Sequence, residues 1–96
     1  MEILKWIETW YNDQCNGDWE HSFGIKIETI DNPGWLIEID LTETDYADLK
    51  LDYVFIESDI NNWHGRKVEN AVYKAFGDPS KLEFLLLEFK KWTEKR

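Results

Sequence analysis

The chain reads as an α+β domain: an N-terminal helix, an antiparallel sheet of about four to five strands, and a C-terminal helix, with the helices packed on one face of the sheet. Three observations predict it. Apolar side chains recur at three- and four-residue intervals across residues 2 to 14. Two runs between Asp18 and Leu41 alternate apolar and polar residues on either side of a Pro-Gly pair. A second helical stripe follows Asp78-Pro79. The 96 residues are enough for one domain with a single core, residues 1–96.

In the first helix, Ile3, Leu4, Trp6, Ile7, Trp10 and Tyr11 form the apolar side, and Glu2, Lys5, Glu8, Thr9 and Asn12 fill the other. Asn16-Gly17-Asp18 supplies a helix stop and turn. From Trp19 onward the odd positions Trp19, His21, Phe23, Ile25, Ile27 and Thr29 read as one face of a strand, with Trp19 and His21 structural. After the turn, Trp35, Ile37, Ile39 and Leu41 read as the same face of the next strand. Asn32-Pro33-Gly34-Trp35 suits a type II turn, with Gly34 at the position that needs positive φ. Trp35 has two readings, the first core residue of its strand or an aromatic anchor beside the turn. Gly24 reads as a bulge or a close-packing position.

Thr42 to Asp48 is a polar connection, and Leu49 to Ile56 reads as a third strand. Ser58 to Gly65, SDINNWHG, has the composition of a loop. Lys67 to Phe76 fits one strand, one strand with a bulge, or a helix from Val68 to Phe76. In the last element Asp78 is the expected N-cap and Pro79 the first helical residue, followed by the stripe Leu82, Leu85, Leu86, Phe89 and Trp92. Lys90, Lys91, Lys95 and Arg96 place positive charge at the C-terminal end of its dipole.

Charge is unevenly spread. Glu28 to Asp59 holds ten acids and one base, Lys50, a net −9 equal to that of the whole chain. A surface of this kind either keeps a sheet face in solution or steers a basic partner. It argues against direct binding to DNA or RNA. Ten acids meeting across a two-fold axis would repel, which favours a monomer over a homo-oligomer. The single cysteine, Cys15, fits a reducing compartment. The opening MEILKWIETWYNDQ has charges within its apolar pattern, so neither a signal peptide nor a membrane span is expected and the chain is placed in the cytoplasm.

No pattern in the chain supports catalysis. His21 and His64 have no HxH or HxxxH spacing, and one Cys cannot build a structural zinc site, so no metal is expected. Neither GxGxxG nor a Walker-type loop occurs, and no cofactor is expected. Acids are so dense in the middle third that no particular pair stands out as a general acid and base.

The stretch from Lys5 to Trp35, KWIETWYNDQCNGDWEHSFGIKIETIDNPGW, resembles the immunity protein 53 family, found beside bacterial polymorphic-toxin genes. The resemblance rests on Trp6, Trp10 and Tyr11 in the first helix, and on Cys15, Gly17, Asp18, Trp19, Glu20 and His21. It continues in GIKIETIDNPGW from Gly24 to Trp35 and in FGDP with its Leu-rich helix, Phe76 to Leu87, and is thinnest from Thr42 to Val72. It implies a bacterial, cytoplasmic, non-enzymatic inhibitor that binds a cognate toxin domain, and an acidic surface suits a basic toxin such as a nuclease. The expected contacts are Glu20, Glu28, Glu38 and Asp40 on the polar sheet face, with Asp31, Asn32 and Trp63 in loops. The competing reading is a small ligand-binding domain or enzyme using His21, Glu20 and neighbouring carboxylates, which requires a pocket holding a perturbed group.

Overall fold

A computed structural model of the chain describes residues 2–95. The elements are α1 (Ile3–Gln14), α2 (Trp19–Ser22), β1 (Ile25–Ile30), β2 (Gly34–Asp40), β3 (Val54–Asp59), β4 (Asn62–Glu69), β5 (Val72–Gly77) and α3 (Leu82–Glu94). Among the described residues the strands form a five-stranded antiparallel sheet in the order β1-β2-β5-β4-β3. The expected α+β architecture is present, with α1 and α3 on one face of this sheet.

Register explains which side chains share a face. Ile37 pairs with Ala75 and Ile39 with Tyr73, so these four point to the helices, and each is 1% exposed or less. α3 lies over β5, where Phe89 and Trp92 meet the Tyr73 ring at 4.9 and 5.1 Å between centroids. α1 closes the layer as Trp6 and Trp10 pack edge-on against Phe89 at 5.9 and 5.2 Å. Aromatic rings bury large areas and favour such edge contacts, which lets a short chain fill its core with few residues. The indole N–H of Trp10 is buried here with no hydrogen-bond acceptor. The phenol of Tyr73 accepts from Arg66 Nη1 at 3.3 Å, and burial pushes its pKa up against that guanidinium.

Several sequence expectations need correction. Residues 19–22 form a helical turn rather than the start of a strand. Asn16 Oδ1 accepts the N–H groups of Asp18 and Trp19 at 3.0 Å each, while Glu20 reaches back to the N–H groups of Asn16 and Gly17 at 2.9 Å each. This reciprocal capping favours helix locally. Trp19 still enters the core, tied by its indole N–H to the Thr42 carbonyl at 2.9 Å. His21 is exposed.

The turn after β1 is not type II. Its Asn32–Pro33 peptide is cis, and Gly34 is absent from the positive-φ positions. Gly34 instead opens β2, where a Cβ would run into the Gly77 carbonyl oxygen and the Trp63 ring. Close approach, rather than backbone conformation, explains the glycine. Gly24 is not tightly packed: no atom lies within 4 Å of where its Cβ would be. Trp35 packs against the core and donates its indole N–H to the Pro79 carbonyl at 2.9 Å.

The strand read at Leu49–Ile56 forms later, at Val54–Asp59. Leu51 precedes it, with its carbonyl accepting the Val68 N–H at 3.1 Å. SDINNWHG is a hairpin rather than a loop: Ile60-Asn61 is its turn, Asp59 Oδ1 holds the Asn61 N–H at 2.7 Å, and Trp63 lies in β4. Lys67 to Phe76 spans two strands joined by Asn70-Ala71, both at positive φ (54° and 61°). Positive φ at both central residues defines the hairpin turn whose twist matches its strands.

The C-terminal helix begins at Leu82, not at Pro79. Asp78 is turned inward instead of capping the helix, as described next.

Candidate functional site

The sheet face opposite the helices carries Lys26 and Glu28 from β1, Leu36, Glu38 and Asp40 from β2, Val72, Lys74 and Phe76 from β5, Trp63, Gly65, Lys67 and Glu69 from β4, and Phe55 and Glu57 from β3. It divides into two unlike halves.

One half is charged but largely self-neutralised. Lys74 Nζ lies 3.4 Å from Glu69 and 4.0 Å from Glu38, and Lys67 Nζ lies 3.4 Å from Glu69. The two lysines lower the Glu69 pKa. Asp40 Oδ2 accepts the Gly24 N–H at 2.9 Å. Glu38 and Asp40 thus stand where the sequence put them, on the outer face, already engaged by neighbours. Glu20 does not join them. It sits on α2 with both carboxylate oxygens on backbone N–H groups, and those bonds, with its own N–H first among them, lower its pKa against partial burial. Both of its oxygens thus serve to hold the α2 turn in place.

The other half is apolar. Gly65 of β4 lies between Phe55 and Phe76 in the register, and a Cβ on it would meet the Phe76 ring and the Val54 carbonyl at 2.5 to 2.9 Å. The two rings close over the glycine nearly parallel, with centroids 6.2 Å apart, and Tyr53 sets its edge against both at 6.5 and 6.1 Å. Beside them is a concavity of about 320 Å³ lined by Ile30, Asn32, Phe55, Glu57, Ile60, Trp63 and Phe76. Trp63, at 9% exposed, forms part of its wall, while Tyr53 (58%), Phe55 (46%) and Ile60 (82%) stand out to solvent.

The Trp63 backbone is fixed from below. Its N–H donates to Asp78 Oδ2 at 3.0 Å, and its carbonyl accepts the Asp78 N–H at 3.0 Å. Asp78 is itself 1% exposed and also takes Lys81 Nζ at 2.7 Å, Ser80 Oγ at 2.6 Å and the Ser80 N–H at 2.8 Å. Burial alone would raise this carboxyl, but the Lys81 ammonium and the Ser80 and Trp63 donors outweigh it and hold it well below the usual carboxylate range.

Of the seven residues singled out from sequence, Asn32 and Trp63 line the concavity, Asp31 is exposed in the adjoining turn, and Glu28 is exposed on β1 beside Leu36. Among the described residues Glu28, Asp31, Asp52, Glu57 and Asp59 form no ion pair. Phe55, Ile60, Phe76 and Tyr53, which form or flank the concavity, are not among the seven. The available signal was Val54-Phe55-Ile56, which is apolar on both faces of a strand whose start was placed too early. No cluster of three His, Cys, Asp or Glu side chains able to hold a metal occurs among the described residues. None of the described helices is long and apolar enough to cross a membrane.

Comparison with curated proteins and with solved structures finds no match to the chain. A family model described as immunity protein 53 matches residues 4–94, which takes in α1, the whole sheet and α3. The tryptophan-rich first helix, the DNPGW turn and the FGDP segment that holds Trp63 in place all fall inside that match, and the chain belongs to the immunity protein 53 family.

Proposed function

We propose that this protein neutralises a cognate toxin domain by binding alone, and that the toxin docks on the aromatic half of the outer sheet face. One observation carries this reading: an exposed, mainly apolar concavity with Glu57 in its lining and Asp31 and Asp59 next to lining residues in the chain, none of the three in an ion pair. Soluble domains seldom leave such rings uncovered without a partner for them. A hydrophobic centre within a charged rim is also how protein interfaces divide affinity from specificity. Glu28, Asp31, Glu57 and Asp59 supply the rim, and Phe55, Ile60 and the Trp63 wall supply the centre. The matching toxin surface is basic, as in a nuclease whose substrate-binding groove is lined with Lys and Arg. Glu20, Glu38 and Asp40 contribute by ordering α2 and the sheet.

The test is co-expression with the cognate toxin domain, followed by size-exclusion chromatography and calorimetry of the pair. Wild-type protein should form a stoichiometric complex and restore growth. Ile60→Asp, at the exposed tip of the β3–β4 hairpin, should fold normally and weaken binding about a hundredfold, as expected when a charge replaces an interface centre. Unchanged affinity for Ile60→Asp and Phe55→Ala would place the toxin elsewhere.

A further inference from the structure

The sheet has two open edges, and they differ. β1 also exposes Ile27, at 43%, but sets it between exposed Lys26 and Glu28, and charged side chains, lysine above all, are a common means of discouraging strand pairing. β3 carries no lysine and no proline. All six of its residues are exposed, three of them consecutive apolar side chains: Val54 at 39%, Phe55 at 46% and Ile56 at 51%.

The reason lies in the layer above. Val54 and Ile56 pair with Arg66 and His64 and so point to the helix side, yet α3 reaches only as far as His64, whose ring meets Phe84 at 4.5 Å. β3 therefore projects past the helices with apolar side chains on both faces. In an antiparallel edge strand, alternate residues direct their N–H and C=O groups away from the neighbouring strand. The register stays regular from Val54 to Glu57 and shifts between Glu57 and Asp59, which limits the free edge to about four residues.

We infer that β3 is a docking edge on which a strand of the toxin domain adds to the sheet, antiparallel or parallel, extending it to six strands. This rests on the toxin-binding reading above and specifies how the contact is made. Charge selects the occupant. Asp52, Glu57 and Asp59 flank the apolar run, and no base lies within Val54–Asp59. A second copy pairing antiparallel about Phe55 and Ile56 would bring Asp52 of one chain opposite Asp59 of the other, a like-charge contact that opposes such pairing. An incoming strand with apolar residues on both faces and Lys or Arg at its ends would satisfy the backbone groups, cover Val54 and Ile56, and continue the Phe55–Phe76 surface.

Two measurements on the purified complex test this. The first compares wild type with Val54→Lys and Ile56→Lys, which alter the helix-side face of β3 and leave the outer-face concavity intact. Both side chains are exposed, so melting temperatures should hold, and toxin affinity should fall at least about thirtyfold, because edge lysines oppose strand addition. The second is amide hydrogen exchange, in which the Val54–Glu57 amides that exchange rapidly in the free protein should become protected in the complex. A wild-type complex whose affinity survives both substitutions, with β3 amides still unprotected, would overturn strand addition while leaving toxin binding established. No complex with wild type would overturn the function itself. Sedimentation showing a dimer of this chain that Val54→Lys dissociates would assign the edge to a second copy and also overturn the inference.

Discussion

A carboxylate that receives four donors while almost wholly buried is the most constrained group in the molecule, and Asp78 is placed so that it joins three segments. It holds the start of β4 through Trp63, the turn through Ser80, and the approach to α3 through Lys81. Asp78→Ala should cost about 3 kcal/mol in chemical denaturation, since removing one partner leaves the other buried groups without a bond. Asp78→Asn isolates the charge. The carboxyl is lower in the folded than in the unfolded chain, so its contribution is full above the unfolded value near pH 4 and declines as pH falls towards the folded one. The stability gap between wild type and Asp78→Asn should therefore be widest near neutrality and narrow below about pH 4, which thermal melts across that range would show. In the sequence Asp78-Pro79 resembles a helix cap. Its true role was hidden because its main partner, the Trp63 backbone, arrives from 15 residues away through strand pairing. Glu20 was misplaced for the opposite reason. Its partners are three and four residues back, and a short capped turn overrode the period-two pattern that put it on a strand.

Alternation was legible where it ran long beside a Pro-Gly turn, in β1 and β2, and not in β3 to β5, where short hairpins break it up. β2 shows its alternation plainly because Ile37 and Ile39 are buried and Glu38 and Asp40 are not. α1 and α3 were likewise legible, since Ile3, Ile7, Trp10, Leu85, Leu86 and Phe89 are buried at helical spacing. β3 and the turns around β4 were obscured because their residues answer to the outer surface and to the hairpin geometry rather than to the core. The β4–β5 turn offers a direct check. Ala71 occupies positive φ, which costs a non-glycine residue about 1 kcal/mol. Ala71→Gly should raise stability by about 0.5 kcal/mol in urea titration after the loss of a half-buried methyl group. Gly65 should behave in the reverse sense. Gly65→Val would force Phe76 away from Phe55, lower stability by about 2 kcal/mol and weaken toxin binding together with it.

At the scale of the molecule, the acids of residues 28–59 occupy the outer face, the β1–β2 turn, the β2–β3 connection and β3, whereas Lys90 and Lys91 lie on α3 on the opposite side of the sheet. On the proposal that the toxin is basic, it should be attracted before contact. Stopped-flow association should slow about tenfold between low salt and about 0.5 M, with dissociation changing less. The double substitution Glu57→Lys with Asp59→Lys should reproduce that loss at low salt and flatten the salt dependence. The chain measures 43 Å in its longest direction against 25 Å in the other two. The helices cover the central strands β2 and β5, and β3 extends beyond them. Residues that keep the protein folded and residues that face outward at that end are thus nearly separate sets. On the docking face proposed above, a gene copy could change Ile56 or Ile60 to meet an altered toxin with little penalty in folding, so resistance could track a diverging adversary while the scaffold stays the same.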